Sequence, residues 1–152
     1  MGVTVKKMKR LLMFKLPSAY LCGVRLRQID SLKSVVTVRY KWINQNPFNS
    51  MYFAVQSMAA ELTTGAIVIK KISESGNQIS MLVTNHKGTF SKKALGLITF
   101  TCYDGSLIDE ALKKTIATGE GQTINMKSVG INETGEQVSA YEFEWSIKLK
   151  SK

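Results

Sequence analysis

One uninterrupted stretch limits what this chain can fold into: SMYFAVQSMAAELTTGAIVI, positions 50 to 69, is almost wholly apolar or small and carries a single charge, Glu61, near its middle. A run of this length is about right for a membrane span. Glu61, Gln56 and several Ser and Thr residues argue instead for a helix buried inside protein. At about 100° per residue, Met51, Val55, Met58, Leu62, Ala66 and Ile69 fall on one stripe, which should face a sheet. Glu61 falls beside that stripe. Ser50, Ala54, Ser57 and Gly65 flank it, so its carboxylate should stand in a notch between small residues.

The period changes on either side of this helix. In SVVTVRYKW, Val36, Val38, Tyr40 and Trp42 alternate with Thr37, Arg39 and Lys41, as in a half-buried strand, and GVRLRQID before it supplies the first arm of a hairpin. QISMLVT and LGLITFTCY also read as strands. SLIDEALKKTIATG spaces Ile108, Leu112 and Ile116 at helical intervals, with Ser106 and Asp109 placed as in a capping box. The clearest strand closes the chain: Tyr141, Phe143, Trp145, Ile147 and Leu149 alternate with Glu142, Glu144, Ser146 and Lys148. NETGE at 132 to 136 gives the turn that pairs it with GQTINMKSVGI. Strands with one polar face suit an antiparallel sheet, and the 50 to 69 helix is apolar enough to fill its concave side.

The chain has 152 residues, 44% of them hydrophobic and 21% charged, which suits one globular domain over 1–152. Residues 1–17 are assigned to an N-terminal amphipathic helix, with Val5, Met8, Leu11 and Leu12 on one face and an end before Pro17; residues 47–71 are assigned to the central helix. A net charge of +10 favours acidic partners: phosphorylated small molecules, nucleic acid or anionic lipid. The cations come in scattered pairs without a long basic tract, so nucleic acid is not expected. Cys22 and Cys102 lack metal-ligand spacing and read as small buried hydrophobes in a reducing cytoplasm; no metal is expected. LLMFKL near the start is short, broken by Lys15 and without a cleavage pattern, so a cytoplasmic protein without a secretory signal or membrane span is expected.

A buried, unpartnered carboxylate costs several kcal/mol or has its pKa raised until it neutralises. A raised pKa is also what a general base near neutral pH requires. Glu61 therefore has two readings: a functional base, or a structural acid paired with an Arg or Lys of the sheet or of a neighbouring subunit. The polar, turn-prone NQNPFNS before the helix presents free backbone N–H groups at its first turn, where developing negative charge is favoured.

The order of elements resembles the hotdog superfamily, an α+β fold in which an antiparallel β-sheet is wrapped around a long central α-helix and pairs with a second subunit. In its small cytosolic acyl-CoA thioesterases, an asparagine before the helix is followed fifteen positions later by an acid; Asn46 and Glu61 have that separation. INQNPFNSMYFAVQSMAAELTTGAIV is also similar to an uncharacterised branch of the superfamily. The resemblance implies hydrolysis of an acyl-CoA or related thioester by a homodimer or dimer of dimers, with coenzyme A as part of the substrate and no separate cofactor. Glu61 would activate water or, less favourably, attack the thioester itself; Asn46 would orient the carbonyl or the water; the backbone N–H of Phe53 would be the oxyanion donor. Tyr52, Ser57, Thr64 and Gly65 would contact substrate, and Lys92 and Lys93 would bind the coenzyme A phosphates, their other reading being solvated surface lysines.

Three departures stand beside these implications. The thioesterases' His-Gly-Gly is Tyr52-Phe53-Ala54 here, the position one turn after the acid is Gly65 where one branch has a hydroxyl, and the strand hydroxyl that helps to hold water in some members has no counterpart. A hotdog dehydratase is disfavoured because no histidine lies before the helix; His86, the only one, reads as a surface or hydrogen-bonded structural residue. Two other functions remain: a non-catalytic acyl-chain or acyl-CoA binding protein, and an interaction protein whose own subunit interface fills the Glu61 notch.

Overall fold

The computed structural model describes residues 3–151, so the first two positions of the expected N-terminal helix and residue 152 lie outside the described residues. The described residues form four α-helices: α1 (Val5–Lys15), α2 (Pro17–Leu21), α3 (Phe53–Ser75) and α4 (Gly105–Thr118). Six strands, β1 (Arg25–Ile29), β2 (Ser34–Arg39), β3 (Ile79–Phe90), β4 (Leu97–Cys102), β5 (Gln122–Ile131) and β6 (Gln137–Leu149), make one antiparallel sheet in the order β1-β2-β4-β5-β6-β3. This is the α+β architecture expected, with α3 lying against the sheet. Among the described residues no helix is long and apolar enough to cross a membrane.

Local chemistry sets the helix boundaries. Thr4 caps α1 by accepting from the Lys7 N–H at 3.3 Å, and Pro17, which has no N–H to give, ends that helix region and opens α2 from its first turn. The central helix is shifted from the expected 47–71. Its first six expected residues form a loop, with Asn49 left-handed at φ 58°, and its C-terminus runs on to Ser75, where Gly76 (φ 69°) supplies a left-handed cap. The capping box expected at Ser106 and Asp109 is not formed. Asp104 is the N-cap residue and its side chain accepts from the Lys127 N–H at 2.7 Å, while Asp109 reaches Lys71. Gly105 begins α4 because a Cβ there would stand 2.2 Å from the Ser31 carbonyl oxygen.

Strand patterning follows the sequence best at the end of the chain. Tyr141, Phe143, Trp145 and Ile147 of β6 are all buried, and the Asn132 side chain organises the turn from β5 by accepting from the Thr134 and Glu136 N–H groups. β2 stops earlier than its alternation suggests. Beyond Arg39, the Asn44 side chain donates to the Arg39 carbonyl at 2.8 Å and accepts from the Lys41 N–H, so the chain turns through a 3-10 segment and leaves Trp42 82% exposed.

The face that α3 turns to the sheet also differs from the apolar stripe. Ala59, Ala60, Thr63, Ala66 and Ile67 are fully buried, whereas Met58 and Ile69 are only half-buried. Polar residues belong to the inner face because the sheet satisfies them: Ser139 donates to the Gln56 side-chain oxygen at 2.9 Å, and the Thr63 and Ser128 hydroxyls lie 2.8 Å apart. Small residues there let helix and sheet approach closely. Glu61 is thereby turned toward the open flank of α3, next to edge strand β3.

Candidate active site

Glu61 is half-buried, and among the described residues no hydrogen bond or ion pair reaches its carboxylate. Burial pushes its pKa above the ordinary carboxylate value of 4.5. It lies in a groove of about 500 Å³ formed by Phe53, Ser57 and Met58 of α3, Val83 and His86 of β3, and Phe143 of β6. Gly65 makes room for it: a Cβ at that position would sit 3.0 Å from the Trp145 ring and 3.3 Å from Glu61 Oε1. Gly65, expected to contact substrate, is buried and acts as a spacer under the carboxylate.

Ser57 stays with the groove, donating to the Phe53 carbonyl at 3.1 Å and lying 3.2 Å from the Tyr141 hydroxyl, whose own pKa burial raises. Thr64 does not. Its hydroxyl donates to the Glu61 carbonyl and accepts from the Trp145 indole N–H, both at 2.9 Å, so it is buried and satisfied within the core. Three residues on from Glu61, about 60° around the helix, its side chain meets Trp145 of β6 and is used there.

The loop before α3 holds the other half of the expected apparatus. Asn46 Oδ1 accepts from the Phe48 N–H (2.9 Å) and the Ser50 N–H (3.2 Å), and its Nδ2 donates to Ser50 Oγ (3.1 Å) and the Met51 carbonyl (3.3 Å). It folds its own loop. With Tyr52, Phe90, Lys92 and Lys93 it lines a second cavity of about 590 Å³, separated from the Glu61 groove by Phe53, which lines both. Tyr52, the N-cap residue of α3, provides no side-chain cap, and the Phe53 N–H has no acceptor among the described residues. That donor is available to an oxyanion.

His86, read from the sequence as a surface or hydrogen-bonded structural residue, is exposed and also lines the Glu61 groove. Val83 pairs with Trp145 and Asn85 with Glu144, so Thr84 is an extra residue in β3 and the strand's inside and outside exchange at that point. The bulge turns His86 toward α3, where it stacks on Phe143 with ring centroids 5.9 Å apart. Without the bulge, Asn85 and Lys87 would face the groove. A one-residue bulge leaves no periodic signal in TNHKG, so nothing short of the paired strand reveals it.

No protein-family model and no curated protein matches the chain. Solved structures do. A Pseudomonas aeruginosa protein of unknown function, described as a probable thioesterase, is 18% identical and superposes with a TM-score of 0.86 over 99% of both chains. A Chlorobaculum tepidum protein of unknown function is 16% identical, with a TM-score of 0.84 over 96% of this chain and 94% of that one. A thioesterase from Haemophilus influenzae is 11% identical, with a TM-score of 0.75 over 98% of this chain and 93% of that one. The fold is a hotdog.

Within this hotdog, both lysines expected to bind phosphates are engaged. Lys92 pairs with Glu136, whose carboxyl this contact and its Asn132 and Thr134 hydrogen bonds hold down at about 2, and Lys93 donates to the Phe48 carbonyl at 2.9 Å. Both still line the mouth of the cavity at Asn46. The chain thus brings Glu61, Ser57, Phe53 and His86 together, and groups Asn46, Tyr52, Lys92 and Lys93 next door.

Proposed function

We propose that this chain is a thioester hydrolase in which Glu61 is the general base. The observation that carries the reading is the unpartnered carboxylate, raised in pKa by burial, in a groove bordered by Phe53, whose N–H is unbonded. A water deprotonated by Glu61 attacks the thioester carbonyl carbon, and the oxyanion gathers against the Phe53 N–H. The C–S bond then breaks, the acid is released, and the proton held by Glu61 passes to the departing thiolate. The substrate class is an acyl-CoA or a similar thioester, and the protein works in the cytoplasm.

A second copy completes the site. Strand β3 is a long sheet edge with Leu82 and Phe90 exposed, the kind of edge that pairs with another strand. Antiparallel pairing of two β3 strands centred between His86 and Lys87 sets Phe90 of one against Val83 of the other. This joins the Asn46 cavity of one protomer to the Glu61 groove of its partner, so that thioester and coenzyme A lie across the interface.

Asn46's commitment to its own loop favours one rival, a protein that binds acyl-CoA without hydrolysing it. A panel of acyl-CoA substrates assayed with wild type and Glu61→Gln separates the two. Turnover by wild type that falls about 10²–10⁴-fold in Glu61→Gln, with binding retained, supports hydrolysis; equal, negligible rates with binding intact assign the groove to the binding protein.

A further inference from the structure

The sheet edge farthest from the Glu61 groove carries a surface that the hydrolase reading does not use. Opposite its buried Met8 and Leu12, α1 turns Lys6, Lys9, Arg10, Met13 and Phe14 outward. Lys6, Lys9 and Arg10 line a cavity of about 460 Å³ with Arg25 and Arg27 of β1, and the same two arginines continue into a second cavity of about 300 Å³ with Arg39 and Lys41. Among the described residues no carboxylate lines either one, and Arg39 alone of these cations is paired, with Glu133 at 3.2 Å. Arg25 is held by neutral partners, the Tyr20 and Val24 carbonyls at 2.7 and 2.8 Å and the Tyr20 ring 3.9 Å from its guanidinium carbon, and the Arg27 Nε–H donates to the Thr37 hydroxyl. Positioned in this way, the guanidinium groups keep their charge uncompensated. Among the described residues Lys6, Lys9, Arg10, Arg25 and Arg27 have no carboxylate partner.

Large apolar side chains stand beside these cations. Phe14, one helical turn beyond Arg10, is 71% exposed, and Leu21 at the end of α2 is 66% exposed, with Met13 and Leu16 also open. A solvated helix face does not need them, and isolated apolar residues on a surface need no explanation. Grouped next to five uncompensated cations, they do. We propose that α1, α2 and β1 form a docking surface for an anionic membrane: the cations meet lipid phosphates and carboxylates while Phe14 and Leu21 enter the interfacial layer. A second copy of this chain is a poor occupant, because a symmetric contact through this face would set its cations against one another. Nucleic acid would match the charge and leave Phe14 and Leu21 unused. This proposal stands independently of the chemistry at Glu61.

The test is co-sedimentation of the full chain with vesicles of phosphatidylcholine alone and of phosphatidylcholine mixed equally with phosphatidylserine, at low and at physiological salt. Binding is expected only to the mixed vesicles and should weaken with salt. Lys6→Gln/Lys9→Gln/Arg10→Gln should lower the partition about a hundredfold, at about fivefold per cation. Phe14→Ser/Leu21→Ser should lower it about tenfold with the charge unchanged. Lys87→Gln/Lys148→Gln, on the distant edge strand β3 and its neighbour β6, should leave it intact. Thermal melts identify any variant that fails to fold, and Arg27→Gln on β1, expected to lose about fivefold, replaces it. Absence of sedimentation with the mixed vesicles, equal binding to both vesicle types, or tighter binding to duplex DNA or RNA at the same salt would each overturn the proposal.

Discussion

Two charged side chains of helix α3, Lys71 and Glu61, are treated in opposite ways. Lys71, near its C-terminal end, is 7% exposed, and its ammonium meets both oxygens of Asp109 at 2.5 and 2.6 Å. Glu61, closer to the start, has nothing of the kind. A charge that is desolvated and then paired has its cost offset within the fold, whereas one desolvated and left alone weakens the fold and is kept only by some use. The contrast assigns Lys71 to structure and leaves Glu61 unpaired, as the proposed chemistry requires.

The largest effect expected from that contrast is kinetic. Glu61→Gln preserves shape and removes only the ability to take a proton, so kcat should fall about 10²–10⁴-fold while KM changes little. Stopped or continuous thiol-release assays measure it. A matching loss in Asp109→Ala would break the distinction, because Asp109, on α4, meets α3 at Lys71, ten residues beyond Glu61, and should affect folding alone.

Asp109→Ala should in turn cost about 1–3 kcal/mol in a denaturant melt, since it leaves the Lys71 ammonium buried without a counter-charge. The lower part of that range is expected because Asp109 is itself 62% exposed and its share of the pair is screened. Lys71→Met sharpens the comparison. It removes the buried charge together with the need to pair it, and should be nearly neutral for stability.

Gly65→Ala tests how the carboxylate is held. The new Cβ would press on the Trp145 ring at 3.0 Å and on Glu61 Oε1 at 3.3 Å, and of the two the carboxylate, facing the open groove, yields more easily. Activity should drop about tenfold while stability falls by about 1 kcal/mol. Equal rates for the variant and wild type would mean that Glu61 does not need its position.

The parts of this molecule that were legible in the sequence are those written as a period. Tyr141 through Leu149 alternate over the whole of β6, and the length and apolarity of α3 leave it no place except against the sheet, so the order of elements and the fold followed. What escaped the reading depends on single residues acting across space. Thr84 reverses the facing of β3 and delivers His86 to the groove; Asn44 ends β2 at Arg39; Asp109 is taken by Lys71 and not by the start of α4; Asn46 spends its hydrogen bonds on its own loop. Glu61 stood out as the one charge in the apolar stretch from 50 to 69. Whether it had a partner was a question about β3, β6 and α4, none of which its local sequence describes.

The smallest effect follows from linkage, and it sets the two charges apart in the same variant that silences the chemistry. Burial raises the Glu61 pKa above its ordinary value of 4.5 in the folded protein, so the native state binds that proton more tightly than the unfolded chain does. Below the unfolded value the group is protonated in both states and costs nothing. As pH rises through the folded value, the native carboxylate must ionise in its poorly hydrated groove, and stability is lost. Glu61→Gln removes that penalty, so its melting temperature should exceed that of wild type at neutral pH, and the gain should vanish as the pH is lowered past the ordinary carboxylate range. The activity of wild type should fall on the same acidic limb, because the base works only when ionised. A variant less stable than wild type at neutral pH would mean that the carboxylate has a favourable partner after all, most plainly one supplied across the β3 edge, and Glu61 would then belong with Lys71.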